Sequence, residues 1–243
     1  GCGAMIGIKG SLSNCDWILS DFGIGNEYKL IGSLSIASDA RVVVPAGFLV
    51  YGWSWAISVS GVLEADGATF QAHNGPGGEW DGIYFNSGSE GVLTNCLITE
   101  TNGYTQSGYH HAQSAIEIRS SDVTIADCEI SHVNNGYNNP NGGIHIISCN
   151  PTISNVEFID CSNGLLLEGV WGQTYRGLSF RECSDGVEVT TGGGIEFDTC
   201  AFHDNYIGLL LATGASNVTV ANCLFRENQR GAKSQGSSGG HTF

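Results

Sequence analysis

Four stretches in the second half of the chain are near-copies of one another: ISNVEFIDCSNGLLL at Ile153–Leu167, YRGLSFRECSDGVEV at Tyr175–Val189, FDTCAFHDNYIGLLL at Phe197–Leu211 and VANCLFRENQRGAKS at Val220–Ser234. They align without gaps. Val156, Leu178, Cys200 and Cys223 are equivalent, so the period is 22 or 23 residues. Further back, Cys128 in IADCEI and Cys96 in LTNCLI hold the same place, at spacings stretched to 28 and 32 by inserted loops. Self-similarity at such a period marks a repeat architecture, to be read before any single element.

Each copy divides into three short strands. The first alternates apolar and polar residues, as in Val123–Ile125, Ile195–Phe197 and Val218–Val220. A two-residue corner follows, whose second member is Asn95, Asp127, Asn155, Gly177, Thr199 or Asn222. Asn, Asp and Gly tolerate the left-handed backbone that such a corner demands, whereas Thr199 fits it less well. The second strand reads Cys-x-Phe or Cys-x-Ile. A longer turn then ends at Gly164, Gly186, Gly208 or Gly231, where the third strand begins. A unit this small cannot bury its apolar side alone. Stacked on its neighbours, ~4.8 Å apart, it builds a continuous core. The expectation is an all-β parallel β-helix of about seven to eight coils with three parallel sheets. Residues 33–234 form the helix, 1–32 an N-terminal segment that is irregular or a first coil, and 235–243 a Gly/Ser-rich tail.

The pattern resembles the right-handed parallel β-helix proteins of the pectate-lyase type. The resemblance covers residues ~60–234 well and ~30–60 loosely, through LSIASDARVVVPAG and GVLEADGATF. Right-handedness is what the resemblance implies; the spacing is silent on it. The resemblance also implies that ligands lie along the outside of the third strand, between its flanking loops.

Composition agrees with strands and turns. Gly is 36 of 243 residues, about twice the usual share, Pro only 4, and charged residues 14%. With 9 Lys+Arg against 24 Asp+Glu the formal charge is -15, which leaves no basic stripe for nucleic acid or for an anionic membrane. The charge-free run 42–62 has the length of a membrane span, but Pro45, Gly47 and Gly52 break it into pieces that read as buried strands. Nine cysteines without a CxxC read as small buried hydrophobes. Cys161 and Cys183, like Cys200 and Cys223, fall one coil apart, within reach of a disulfide, although side chains that point the same way suit packed free thiols better. Cys2–Cys15 is the bridge to expect if one forms. Asn217-Val-Thr219 is a formal glycosylation acceptor.

On the third strand the register points Tyr84, Glu117, His145, Leu166, Glu188, Leu210 and Lys233 outward. A second outward column holds Asn86, Arg119, Glu168 and Thr190. Glu117 and His145 become neighbours on adjacent coils with Arg119 close by, so a carboxylate and an imidazole could act as acid and base and a guanidinium could anchor an anion. The insertions Thr99–Ser114 and Ser131–Gly142 lead into the same strand and bring Tyr104, Tyr109, His110, His111, His132 and Tyr137 to its border. Trp171, Trp80 and Asp81 come from neighbouring turns. Rings among Asn and His suit a sugar surface, and loops this long are usually functional. Tyr84, Tyr109, His110, His111, Trp171 and Glu188 are the candidate ligand-binding residues. Equally, Glu opposite His can be an ordinary cross-strand pair.

Pectate-lyase relatives use clustered Asp for calcium and a basic residue at the bond cleaved; here no outward Asp stack appears, and Arg119 is the only Arg on that face. No cofactor is expected. The acidic balance permits weak calcium sites, but spacing does not argue for one, and no metal ligands are assigned. Raw strand edges at the two ends invite self-association. The expected function is that of a secreted or cell-surface module with a structural, adhesive or assembly role, filaments included, in contact with glycans. The alternative is a polysaccharide lyase or glycoside hydrolase built on Glu117, His145 and Arg119.

Overall fold

The computed structural model describes residues 5–20, 26–52, 55–73, 80–101, 114–133, 142–236 and 239–243. Tyr104, Tyr109, His110, His111 and Tyr137 lie outside them, and so does Cys2.

Every ladder is parallel, and the described residues contain strands and turns without a helix. The repeat explains this: strands that alternate inward and outward residues between corners leave no stretch in which a 3.6-residue period could bury a face. Each rung has three sides. The first side is one sheet of nine strands, from Cys15–Ile18 to Thr219–Ala221. The second and third sides share one 18-stranded sheet. They were expected as separate sheets. They join because Ile6–Leu12 and Glu27–Ile36 each run round the corner from one side to the other, with a register shift between Ile8 and Gly10. The solenoid also has about nine turns, more than the seven to eight expected. The added rungs, Ile6–Ile18 and Glu27–Val44, lack the Cys-x-Phe mark by which the others were counted. At the far end Thr242 bridges Thr219, and its N–H donates to the Val218 carbonyl at 2.9 Å, so the tail starts another rung on the first side.

The interior is a set of like-on-like columns. Phe158, Phe180, Phe202 and Phe225 stack with centroid separations of 4.9, 5.0 and 4.5 Å, close to the strand spacing itself. Cys96, Cys128, Cys200 and Cys223 line up inside the first corner; the Cys96 amide donates to Cys128 Sγ, and the Cys200 amide to Cys223 Sγ. All described cysteines are free, Cys15 included; Cys2, its expected partner, lies outside the described residues. Outside the same corner Asn95, Asp127, Asn155, Thr199 and Asn222 all have φ between 52 and 56°. Their side chains form a ladder: the Asn95, Asn155 and Asn222 amides donate to Asp66, Asp127 and Asp198 at 2.8–3.1 Å.

Candidate functional site on the third side

The third strand of each rung buries two residues and turns the one between them outward. Ile116 and Ile118, then Ile144 and Ile146, are fully buried, and Glu117 and His145 stand between them. Pairing places Glu117 directly opposite Tyr84 on one side and His145 on the other. The column continues through Leu166, Glu188, Leu210 and Lys233, and upward through Ser58, Ser35 and Ser11.

Outward does not mean exposed here. Glu117 is 4% and His145 7% accessible, and Tyr84, Leu166 and Leu210 are buried too. Arg119 Nε lies 2.6 Å from Glu117 Oε1, with the guanidinium much more exposed than the carboxylate. The exposed Glu168 carboxylate stands 3.3 Å from His145 Nε2. At that distance the geometry does not make a hydrogen bond, and neither imidazole nitrogen has a hydrogen-bond partner. Burial pushes the His145 pKa below its ordinary value and outweighs the opposite pull of Glu117 and Glu168; Arg119 acts in the same direction as burial. His145 is therefore a neutral imidazole between two carboxylates. Burial, with the charges of Asp81 and Glu117, raises the Tyr84 pKa, and its hydroxyl donates to the Asp81 carbonyl.

The second outward column is the accessible one. Arg119, Glu168 and Trp171 stand exposed, Trp171 at 60%. Trp171 ends the strand Asn163–Trp171 and lies over Gly193, where an added Cβ would come within 3.0 Å of the indole. Asn86 donates to Ser58 and Ser60. Thr190 does not join this column. A register shift sets Glu168 against Thr191 instead, and the Thr190 hydroxyl donates to the Leu167 carbonyl at 3.0 Å. Trp80 is fully buried, its indole N–H donating to the Thr99 carbonyl, so it belongs to the core rather than to a ligand surface. His132 lies within the second-side strand Glu129–Val133, at φ 54° and 3.0 Å from Asp160.

Glu188 is half-buried and accepts from the Asn163 amide at 3.0 Å; burial raises its pKa. Asp185 on the same strand was not among the sequence candidates. Burial, aided by the Glu188 charge, pushes its pKa up to about 6. The signal was available: Asp185 pairs with Asn163, so the repeat puts a carboxylate where the preceding rung has an amide. Among the described residues no three His, Cys, Asp or Glu side chains are placed to hold a metal ion. No helix in them is long and apolar enough to cross a membrane.

Fold and site together define a parallel β-solenoid with a built polar patch on its third side. The chain belongs to the right-handed β-helix family: the family model for the right handed beta helix region matches residues 114–243, more than half of its length. That match also supplies the handedness. No curated protein matches the chain.

Proposed function

We propose that this protein is a secreted or cell-surface β-helix module that holds a glycan against its third side, in an adhesive or assembly role. The observation that carries this reading is the layering of the patch. Arg119, Glu168 and Trp171 stand accessible, while Glu117, paired with Arg119, and His145 lie buried. A guanidinium held by Glu117 and an exposed carboxylate suit carboxylate and hydroxyl groups, and an exposed indole suits the apolar face of a pyranose ring. Such preorganised groups lose little freedom on binding. The stacked thiols of Cys96, Cys128, Cys161 and Cys183 are buried away from oxidants, which makes them compatible with an extracellular setting. Self-association through the exposed Leu224 and Phe243 would be the assembly form of the same role, read by light scattering.

A second reading, a lyase or hydrolase, is favoured by one feature: a buried neutral imidazole between two carboxylates is a poised acid–base arrangement. One experiment separates the two. Binding and product release are measured on the same panel of acidic and neutral oligosaccharides. The binding reading expects Trp171→Ala and Arg119→Ala each to weaken affinity about tenfold, with no release by wild type. Release that is lost in Glu117→Ala and His145→Ala would transfer the assignment to the enzyme reading. Unchanged affinity in both surface variants sinks the glycan site.

A further inference from the structure

We propose that Cys200 and Cys223 are a disulfide-forming pair, which a small disulfide oxidant can link across adjacent rungs of this solenoid. The interior holds three stacked thiol pairs: Cys96 with Cys128, Cys161 with Cys183, and Cys200 with Cys223. Stacking on neighbouring rungs sets their Cα atoms ~4.8 Å apart, inside the 4.4–6.8 Å range that a disulfide spans. In the third pair Ala201 is in register with Leu224, the Leu224 amide donates to the Cys200 carbonyl at 2.9 Å, and the Cys200 amide donates to Cys223 Sγ at 3.3 Å. The Cys223 sulfur is thus tucked beneath the residue it would bond.

Access distinguishes the pairs. Cys96, Cys128, Cys161 and Cys183 are 2–4% exposed. Cys223 is half-buried and lines a cavity together with Val220, Phe225, Ala232 and Phe243, the last of these 68% exposed. Cys15 and Cys149 are also half-buried, but the ladders set Ala40 opposite Cys15, and Cys149 Sγ contacts the Ile118 carbonyl. Neither stacks on a thiol among the described residues.

The chemistry is thiol–disulfide exchange. Cys223 loses its proton to solvent, and its thiolate attacks one sulfur of a low-molecular-weight disulfide, RSSR. A mixed disulfide forms and RS⁻ leaves to be protonated. Cys200 then loses its proton, its thiolate attacks the Cys223 sulfur, and the second RS⁻ departs. Two thiols are oxidised by two electrons and RSSR is reduced to two RSH. Burial raises both thiol pKa values, Cys200 to about 12, so both are protonated at neutral pH and the reaction accelerates as pH rises.

The test uses the folded protein with 2-hydroxyethyl disulfide at alkaline pH, followed by intact mass and peptide mapping. The expected product has lost two hydrogens and contains a linked Cys200–Cys223 peptide. The link falls to background in Cys223→Ser, and Cys200→Ser instead accumulates the mixed disulfide on Cys223. The wild-type map stands without either variant. A Cys223 that stays reduced, a mixed disulfide there that persists beside a reduced Cys200, or a link between any other two cysteines overturns the proposal.

Discussion

Tyr175 is fully buried in the first side of the core, its ring 5.5 Å from that of Phe197, and its hydroxyl has no hydrogen-bond partner. An orphaned buried hydroxyl costs about 1–3 kcal/mol, while the ring itself packs well. Tyr175→Phe keeps the ring and removes the orphan, so it is expected to stabilise the protein by about 1 kcal/mol, seen as a higher urea midpoint at unchanged slope. A loss of stability would show that the phenol is satisfied after all. Asp185 makes the converse case, a carboxyl whose native pKa, about 6, stands above its ordinary 3.8. Between those values the native state binds more protons than the unfolded chain, so this group's contribution to stability falls as pH rises from about 4 to about 6. Solvent screening at a half-buried site keeps the effect below about 1 kcal/mol. His145 acts in the opposite sense, since its depressed pKa loses stability as pH falls below its ordinary 6.5. Comparing thermal midpoints of wild type and Asp185→Asn across this range cancels the histidine term. The wild type should lose ground to the variant as pH rises, and a constant difference would refute the assignment.

At the scale of the repeated element, the first corner demands a left-handed residue on every rung, and Thr199 occupies it at φ 56°. A β-branched side chain is strained there, by roughly 1–2 kcal/mol relative to Gly or Asn. Thr199→Asn is therefore expected to raise the thermal midpoint by about 2–4 °C, allowing for the lost hydrogen bond from the Thr199 hydroxyl to the Asp198 carbonyl. An unchanged or lower midpoint would mean that the hydroxyl contact outweighs the strain. This corner was legible in the sequence because Asn, Asp and Gly recur there at the period, and the same recurrence set Glu117 beside His145. The second corner was not legible. Glu100, His132, Asp160, Glu182, Asp204 and Glu227 also take positive φ, but Glu and His carry no turn signal strong enough to read. Nor was the burial of Glu117 and His145, since alternation along a strand tells which way a side chain points and not what covers it. The shift that removes Thr190 from its column arises from irregular pairing of long strands, which a count by fixed period cannot foresee.

For the whole molecule, stacking makes stability a sum of rung-to-rung interfaces rather than a property of one globular core. Opening an interior rung breaks two interfaces. Among the described residues the strands Leu224–Arg226 and Arg230–Ser234 pair on one side only, and their residues are exposed or half-buried where the preceding rung is mostly buried. Phe225 accordingly stacks on Phe202 alone, whereas Phe202 lies between Phe180 and Phe225. The third-side patch is carried by fully or mostly buried strands, which gives its charged groups a rigid support, whereas the thiol pair Cys200–Cys223 lies beside the less buried strands Leu224–Arg226 and Arg230–Ser234. Native-state hydrogen exchange should therefore show a gradient. Amides of Leu224 and Gln235, which donate to Cys200 and Leu211, are expected to exchange at least ~10-fold faster than the amides of the site-bearing strands Ile116–Ile118 and Gly142–Ile147. Oxidation at Cys200–Cys223 ties two neighbouring rungs together and should reduce that difference. Equal rates throughout would mean that the solenoid opens as one cooperative unit, and the patch would then owe its rigidity to the whole stack rather than to its place within it.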